Sequence, residues 1–123
     1  MVKELKFREY FTSLGSLVLA GRNSKNNEEI VAQTEPEEIV LHTVKPGSPF
    51  VNIKDKKPTK QDILDAAIFC AKHSKDWRDN KEDVEVHIFK AKEIFKSKGM
   101  KEGTFGVKKF DVLKVKKFDI KKL

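Results

Sequence analysis

Residues 14–30 read LGSLVLAGRNSKNNEEI, which is a turn, a strand, a second turn and a helix in one short stretch. Gly15-Ser16 is a turn signal, and Leu17-Val18-Leu19-Ala20 is an apolar run of the length of one buried strand. Gly21 closes the run. Asn23 and Ser24 are N-cap candidates, because their side-chain oxygens accept from free amides of a helix's first turn. Glu28 and Glu29 lie early in that helix, where its dipole favours negative charge. Arg22 is thereby placed between a buried strand end and a helix start. Its guanidinium either offers a planar fork to a ligand over the strand edge or pairs with a local glutamate, and the spacing leaves both open.

Outward from this stretch, Phe7–Ser13 reads as a first strand, hairpinned through Leu14-Gly15-Ser16. Asn26–Gln33 is a short helix with Ile30 and Val31 inward, broken at Thr34-Glu35-Pro36. Ile39–His42 is a third, buried strand, and TVKPGSP (43–49) is a turn-rich loop leading to a fourth at Phe50–Ile53. Thr59 and Asp62 form a capping pair ahead of a long helix, about 60–74, whose apolar face is Ile63, Leu64, Ala67, Ile68 and Ala71. VEVHIF (84–89) alternates like a half-buried strand. Residues 92–103 read as a mobile basic loop, followed by short strands at 104–107 and 111–118. The tally predicts one α+β domain over 1–123, with a mostly antiparallel (mixed) sheet, one long helix and one short helix packed on it.

Composition narrows the function. Cys70 is the only cysteine, and it reads as a buried structural thiol. His42, His73 and His87 show no ligand spacing, so no metal and no cofactor is expected. No phosphate-cradling glycine loop or nucleophile triad occurs, so the chain is not expected to be an enzyme. The start, MVKELKFREYF, lacks a leader's apolar core, and no apolar run approaches a membrane span. A soluble, cytoplasmic protein with no membrane partner is expected. The net charge of +7 is one-sided: residues 1–89 hold 14 Lys+Arg and 15 Asp+Glu, whereas residues 90–123 hold 12 Lys and 4 acids. A basic region of this kind attracts polyanions or simply solvates the surface. Lys96, Lys98 and Lys101 are its candidate contacts.

GRNSKNNEEIV (21–31) resembles the signature of the NFACT-R domain, the RNA-binding module of ribosome-associated quality-control factors. Arg22, Asn27 and Glu28 fall on its polar positions. FREYFTSLGSLVLAGR, EEIVLHTVKPGSPFVNIK and DAAIFCAKHSKDW resemble further stretches of that family in the same order, over about residues 7–115. The acid that follows the family's histidine is replaced here, in His42-Thr43-Val44. The resemblance implies a stand-alone RNA-binding domain that engages tRNA or rRNA, in contact with the large ribosomal subunit. It also implies that the strand ends at Arg22 and His42 share one face, with Ser48 and Lys54 flanking, as a phosphate and sugar site. His42 reads equally as a residue that fixes its loop from within. The alternatives are a protein–protein adaptor on a ribosomal or RNA-processing assembly and, more remotely, a nucleic-acid-modifying enzyme.

Overall fold

Side-chain alternation along the strands decides how the sheet is covered. A computed structural model describes residues 7–123. Its strands are β1 (Arg8–Phe11), β2 (Leu17–Ala20), β3 (Ile39–Thr43), β4 (Val51–Ile53), β5 (Val84–Lys90), β6 (Ile94–Phe95), β7 (Gly106–Val107) and β8 (Asp111–Val115). Six of them form one sheet in the order β1-β2-β4-β3-β5-β8, while β6 and β7 pair separately. Every pairing is antiparallel, so the fold is α+β and the sheet is antiparallel rather than mixed among the described residues. The helices are α1 (Ser24–Gln33), α2 (Lys60–Lys72), α3 (Lys75–Asn80) and α4 (Lys117–Lys122).

One face of the sheet presents Val18, Ala20, Leu41, Val51, Ile53, Val84, Val86 and Val115 to α2, to Trp77 of α3 and to Ile120 of α4. The next residues along the same strands, Leu19, Val40, Phe50 and Phe89, point the other way. They pack with Ile30 of α1 and with Ile94, Phe105 and Val107 of the β6–β7 arm. The result is three layers with two cores, and His42 and His87 belong to the α1 side by the same period of two.

Thr59 and Asp62 form a complete reciprocal capping box at the start of α2. The Asp62 carboxylate also accepts from the Thr12 hydroxyl at 2.7 Å, which ties α2 to the end of β1. The buried stripe of α2 differs from the expected one: it runs through Ala66, Ala67, Phe69, Cys70 and Ala71. Ile63 and Ile68 are partly buried at its margins, and Leu64 lies outside both cores. The small residues bring the helix axis close to the sheet, and the bulkier ones are displaced to its flanks. Leu64→Ala therefore removes less than a full core truncation.

Two short helices had no sequence signal, because KDWRDN and KFDIKK are mostly charged and each buries one residue, Trp77 and Ile120. The strand expected over 111–118 accordingly ends at Val115. The basic segment 92–103, expected to be mobile, is built into the fold instead. After a 3-10 turn at Ala91–Glu93, β6 leads to an arm that returns onto α1. There Lys96 Nζ donates to Glu28 Oε2 at 2.7 Å and to the carbonyls of Lys101 and Thr104 at 2.6 and 2.7 Å, and the Gly103 amide donates to the same Glu28 oxygen at 2.6 Å. The reading of the chain start as leaderless rests in part on positions 1–6, which lie outside the described residues. No helix among the described residues is long and apolar enough to cross a membrane.

Candidate nucleic-acid interface

The turn after β2 is organised by a buried asparagine. Asn27 Oδ1 accepts the Phe50 amide at 3.0 Å, joining the first turns of α1 to the start of β4. A Cβ at position 21 would strike that same oxygen, so only glycine lets α1 close so tightly on the strand end. Gly21 in turn donates to the Phe50 carbonyl at 3.1 Å and accepts from Arg8 Nη1 at 2.7 Å. Asn23 caps α1 by accepting the Asn26 amide at 2.8 Å, and Asn26 Oδ1 accepts the Arg22 amide at 2.9 Å. The backbone of Arg22 is thus fixed on both sides while its side chain stays exposed. Among the described residues its guanidinium makes no hydrogen bond and no ion pair, so the local glutamate partner considered above is not present.

Arg22 lines a cleft of about 320 Å³ together with Arg8, His73, Lys75 and Arg78, floored by Gly21, Gly47, Ser48 and Pro49. No carboxylate among the described residues lines it. Arg78 is partly neutralised outside the cleft by Asp79, at 2.9 Å. Lys75, at the start of α3, packs on the Gly47 turn, where φ is +90°: its amide donates to the Gly47 carbonyl at 2.8 Å, and a Cβ on Gly47 would meet Lys75 Cδ at 2.5 Å. The His73 imidazole is held below its ordinary pKa by burial first and then by the charges of Arg8 and Lys72.

A second pocket, of about 450 Å³, opens beside the cleft and shares Ser24, Asn27, Gly47 and Ser48 with it. Its walls are rings. His42 lies against Phe50 at 4.6 Å between centroids, Phe105 meets Phe50 edge-on at 5.4 Å, and His87 lies against Phe110 at 4.1 Å. His42 Nδ1 is 2.7 Å from the Thr43 carbonyl. A carbonyl only accepts, so the hydrogen sits on Nδ1 and Nε2 is left as an acceptor in the neutral ring. Burial lowers the pKa of His42 first, the Thr43 carbonyl opposes this, the nearby His87 adds to the lowering, and the Ser48 backbone opposes it in turn.

The expected site residues divide accordingly. Arg22 is in the cleft, His42 is in the ring pocket, and Asn27 and Ser48 form the wall between them. Ser48 acts from within: its hydroxyl donates to the Pro49 carbonyl at 2.7 Å, accepts the Thr43 amide at 3.2 Å and lies 3.4 Å from Cys70 Sγ. Lys54 does not belong to the site. It stands at the opposite end of β4, with Nζ 2.7 Å from Glu38 and 3.1 Å from Gln33 Oε1, because the antiparallel pairing of β3 and β4 sends the residue after Ile53 away from the loop 43–49. Lys96 is the clamp that holds the arm, and Lys98 and Lys101 are exposed on that arm and line neither opening.

Sequence reading missed Arg8, Lys75, Arg78 and the rings of Phe50, His87, Phe105 and Phe110. The alternation VEVHIF does place His87 opposite Val86, and so on the site's side. Lys75 and Arg78 depend on α3, which carries almost no apolar pattern. Cys70 is fully buried, and burial pushes its thiol up to about 12, so it is held as the inert thiol S–H. No group of three metal-ligating side chains occurs among the described residues.

A guanidinium without a partner among the described residues, set in a cationic cleft, is chemistry that suits a polyanion. The NFACT protein RNA-binding domain family matches residues 6–109 of this sequence. The chain belongs to that family and is an RNA-binding domain. No curated protein matches it. Among solved structures it is similar to the C-terminal part of the fibronectin/fibrinogen-binding protein from Streptococcus suis, with a TM-score of 0.84 and 25% identity, over 99% of this chain and 50% of that one. The chain therefore spans about half the length of that solved relative.

Proposed function

We propose that this domain binds tRNA or rRNA in the cytoplasm, on or near the large ribosomal subunit, and serves translation quality control as a binding module without a catalytic step. The observation that carries the reading is the cleft of Arg8, Arg22, Lys75 and Arg78, free of carboxylates among the described residues. Phosphate contacts of this kind supply most of the affinity for RNA and fix its register. Arg22 is the central contact, because a guanidinium grips phosphate through two parallel N–H bonds. The lysines of 90–123 add a general attraction around it.

A salt titration with a tRNA transcript tests this. Affinity should fall steeply with salt, and Arg22→Ala or Lys75→Ala should each flatten the slope by about 0.7–0.9. Binding that ignores salt would reject the proposal. Such a result would favour the adaptor reading, which the name of the Streptococcus suis relative, a fibronectin/fibrinogen-binding protein, also supports.

A further inference from the structure

We propose that the ring pocket beside the cleft receives one unstacked nucleobase, while the cleft holds the phosphate of the same nucleotide. This rests on the RNA-binding reading and adds to it a preference for single-stranded segments.

Charge and rings are sorted between two adjoining openings. The cleft carries Arg8, Arg22, Lys75 and Arg78 and no carboxylate among the described residues. The pocket is lined by six aromatic rings, five of them packed in two groups, His42–Phe50–Phe105 and His87–Phe110, and, among the described residues, by no lysine or arginine; Glu102 lies in its wall. A phosphate is drawn to the first and repelled from the second, whereas a flat uncharged base suits the second. Ser24, Asn27, Gly47 and Ser48 border both, so one nucleotide spans them.

Phe110 is 45% exposed, and it lies on His87 as one side of the pocket, so its face is within reach of a ligand there. Aromatic platforms of this kind hold splayed-out bases of single-stranded RNA, and they tolerate any base because each has a π-face. The neutral state of His42 and His87 at pH 7, consistent with the burial that lowers both, keeps the rings from acting as cations. A duplex keeps its bases stacked and cannot fill the pocket.

The test uses single-stranded RNA with one 2-aminopurine, the same RNA in a duplex, and the single strand with an abasic nucleotide at the probe position. The wild type should change 2-aminopurine emission in the single strand only, and should lose affinity for the abasic strand. Phe110→Ala should lose roughly 5- to 150-fold in single-strand affinity, the range seen for removal of a stacking aromatic, with duplex affinity unchanged. Phe110→Trp should retain binding. Equal affinity of Phe110→Ala and wild type for the single strand, or no abasic penalty, overturns the base pocket while salt-dependent duplex binding leaves the RNA reading standing. Free adenosine monophosphate competing as well as the RNA strand would overturn the assignment to RNA in favour of a mononucleotide. Binding of neither RNA form by the wild type overturns both readings.

Discussion

His42 and His87 are direct partners across β3 and β5, and both side chains lie on the face of the sheet that α1 and the arm cover. Each ring is held below the ordinary imidazole pKa, with burial as the main cause, and each is packed on a phenylalanine. A proton on either ring puts a charge into a partly buried, ring-lined pocket and next to the other histidine.

Stability should therefore depend on pH near neutrality. The folded pKa of His42, His87 and His73 lies below the unfolded value of 6.5, so the unfolded chain binds more protons between the two. Their contribution is fully present above about 6.5 and is lost as pH falls through the folded values. Glu85 opposes the shift at His87, and Arg8 and Lys72 reinforce it at His73. Urea midpoints at pH 7, 6 and 5 should fall in that order, and His42→Gln should flatten the fall. A wild type equally stable at pH 7 and 5 would contradict this.

Arg22→Lys preserves charge and removes the fork. Since the guanidinium makes no bond to the described residues, melting temperature should stay within a degree or so of wild type. RNA affinity should drop by about 1–3 kcal/mol, by analogy with other bidentate contacts. Equal binding by the lysine variant would show that charge alone suffices in the cleft.

Asn27→Ala should destabilise the fold. It leaves the buried Phe50 amide without its acceptor, at a cost of about 1–3 kcal/mol. Urea denaturation measures the loss. Gly21→Ala acts on the same bond from the other side, by driving a methyl group into Asn27 Oδ1.

Lys96→Ala should loosen the arm rather than the fold. Hydrogen exchange of the amides in 94–107 should quicken, while those of β3 and β5 keep their protection. Unchanged exchange in the arm would show that Phe105, Val107 and the Gly103–Glu28 bond hold it unaided.

The six strands of the main sheet and the two longer helices were legible in the sequence from their periodicity and caps, whereas β6 lies in a segment that reads as a loop. VEVHIF and the Thr59–Asp62 cap are examples, and LVLAGRNS gave away both a strand end and a helix start. What was not legible depends on closeness across the chain. Lys54 and Lys96 look like free cations in sequence, and only the fold brings Glu38 to one and Glu28 to the other. Arg8 and Lys75 are separated by 67 positions in the sequence and meet at one cleft because Arg8 bonds to the turn at Gly21 and Lys75 to the turn at Gly47, and both turns line it. The rotation of α2 was hidden for another reason: periodicity marks which residues are apolar, whereas the closest approach to a sheet goes to the smallest.

Cys70 gives the molecule a built-in gauge. It is the only thiol in the chain, and it sits beneath Ser48 and Pro49, directly under the floor of the cleft. A thiol reagent reaches it only when α2 parts from the loop 43–49. The rate at which it is alkylated therefore reports how often this part of the domain opens. Comparing that rate with and without RNA would time how firmly a bound strand holds the loop shut, with no label added to the protein.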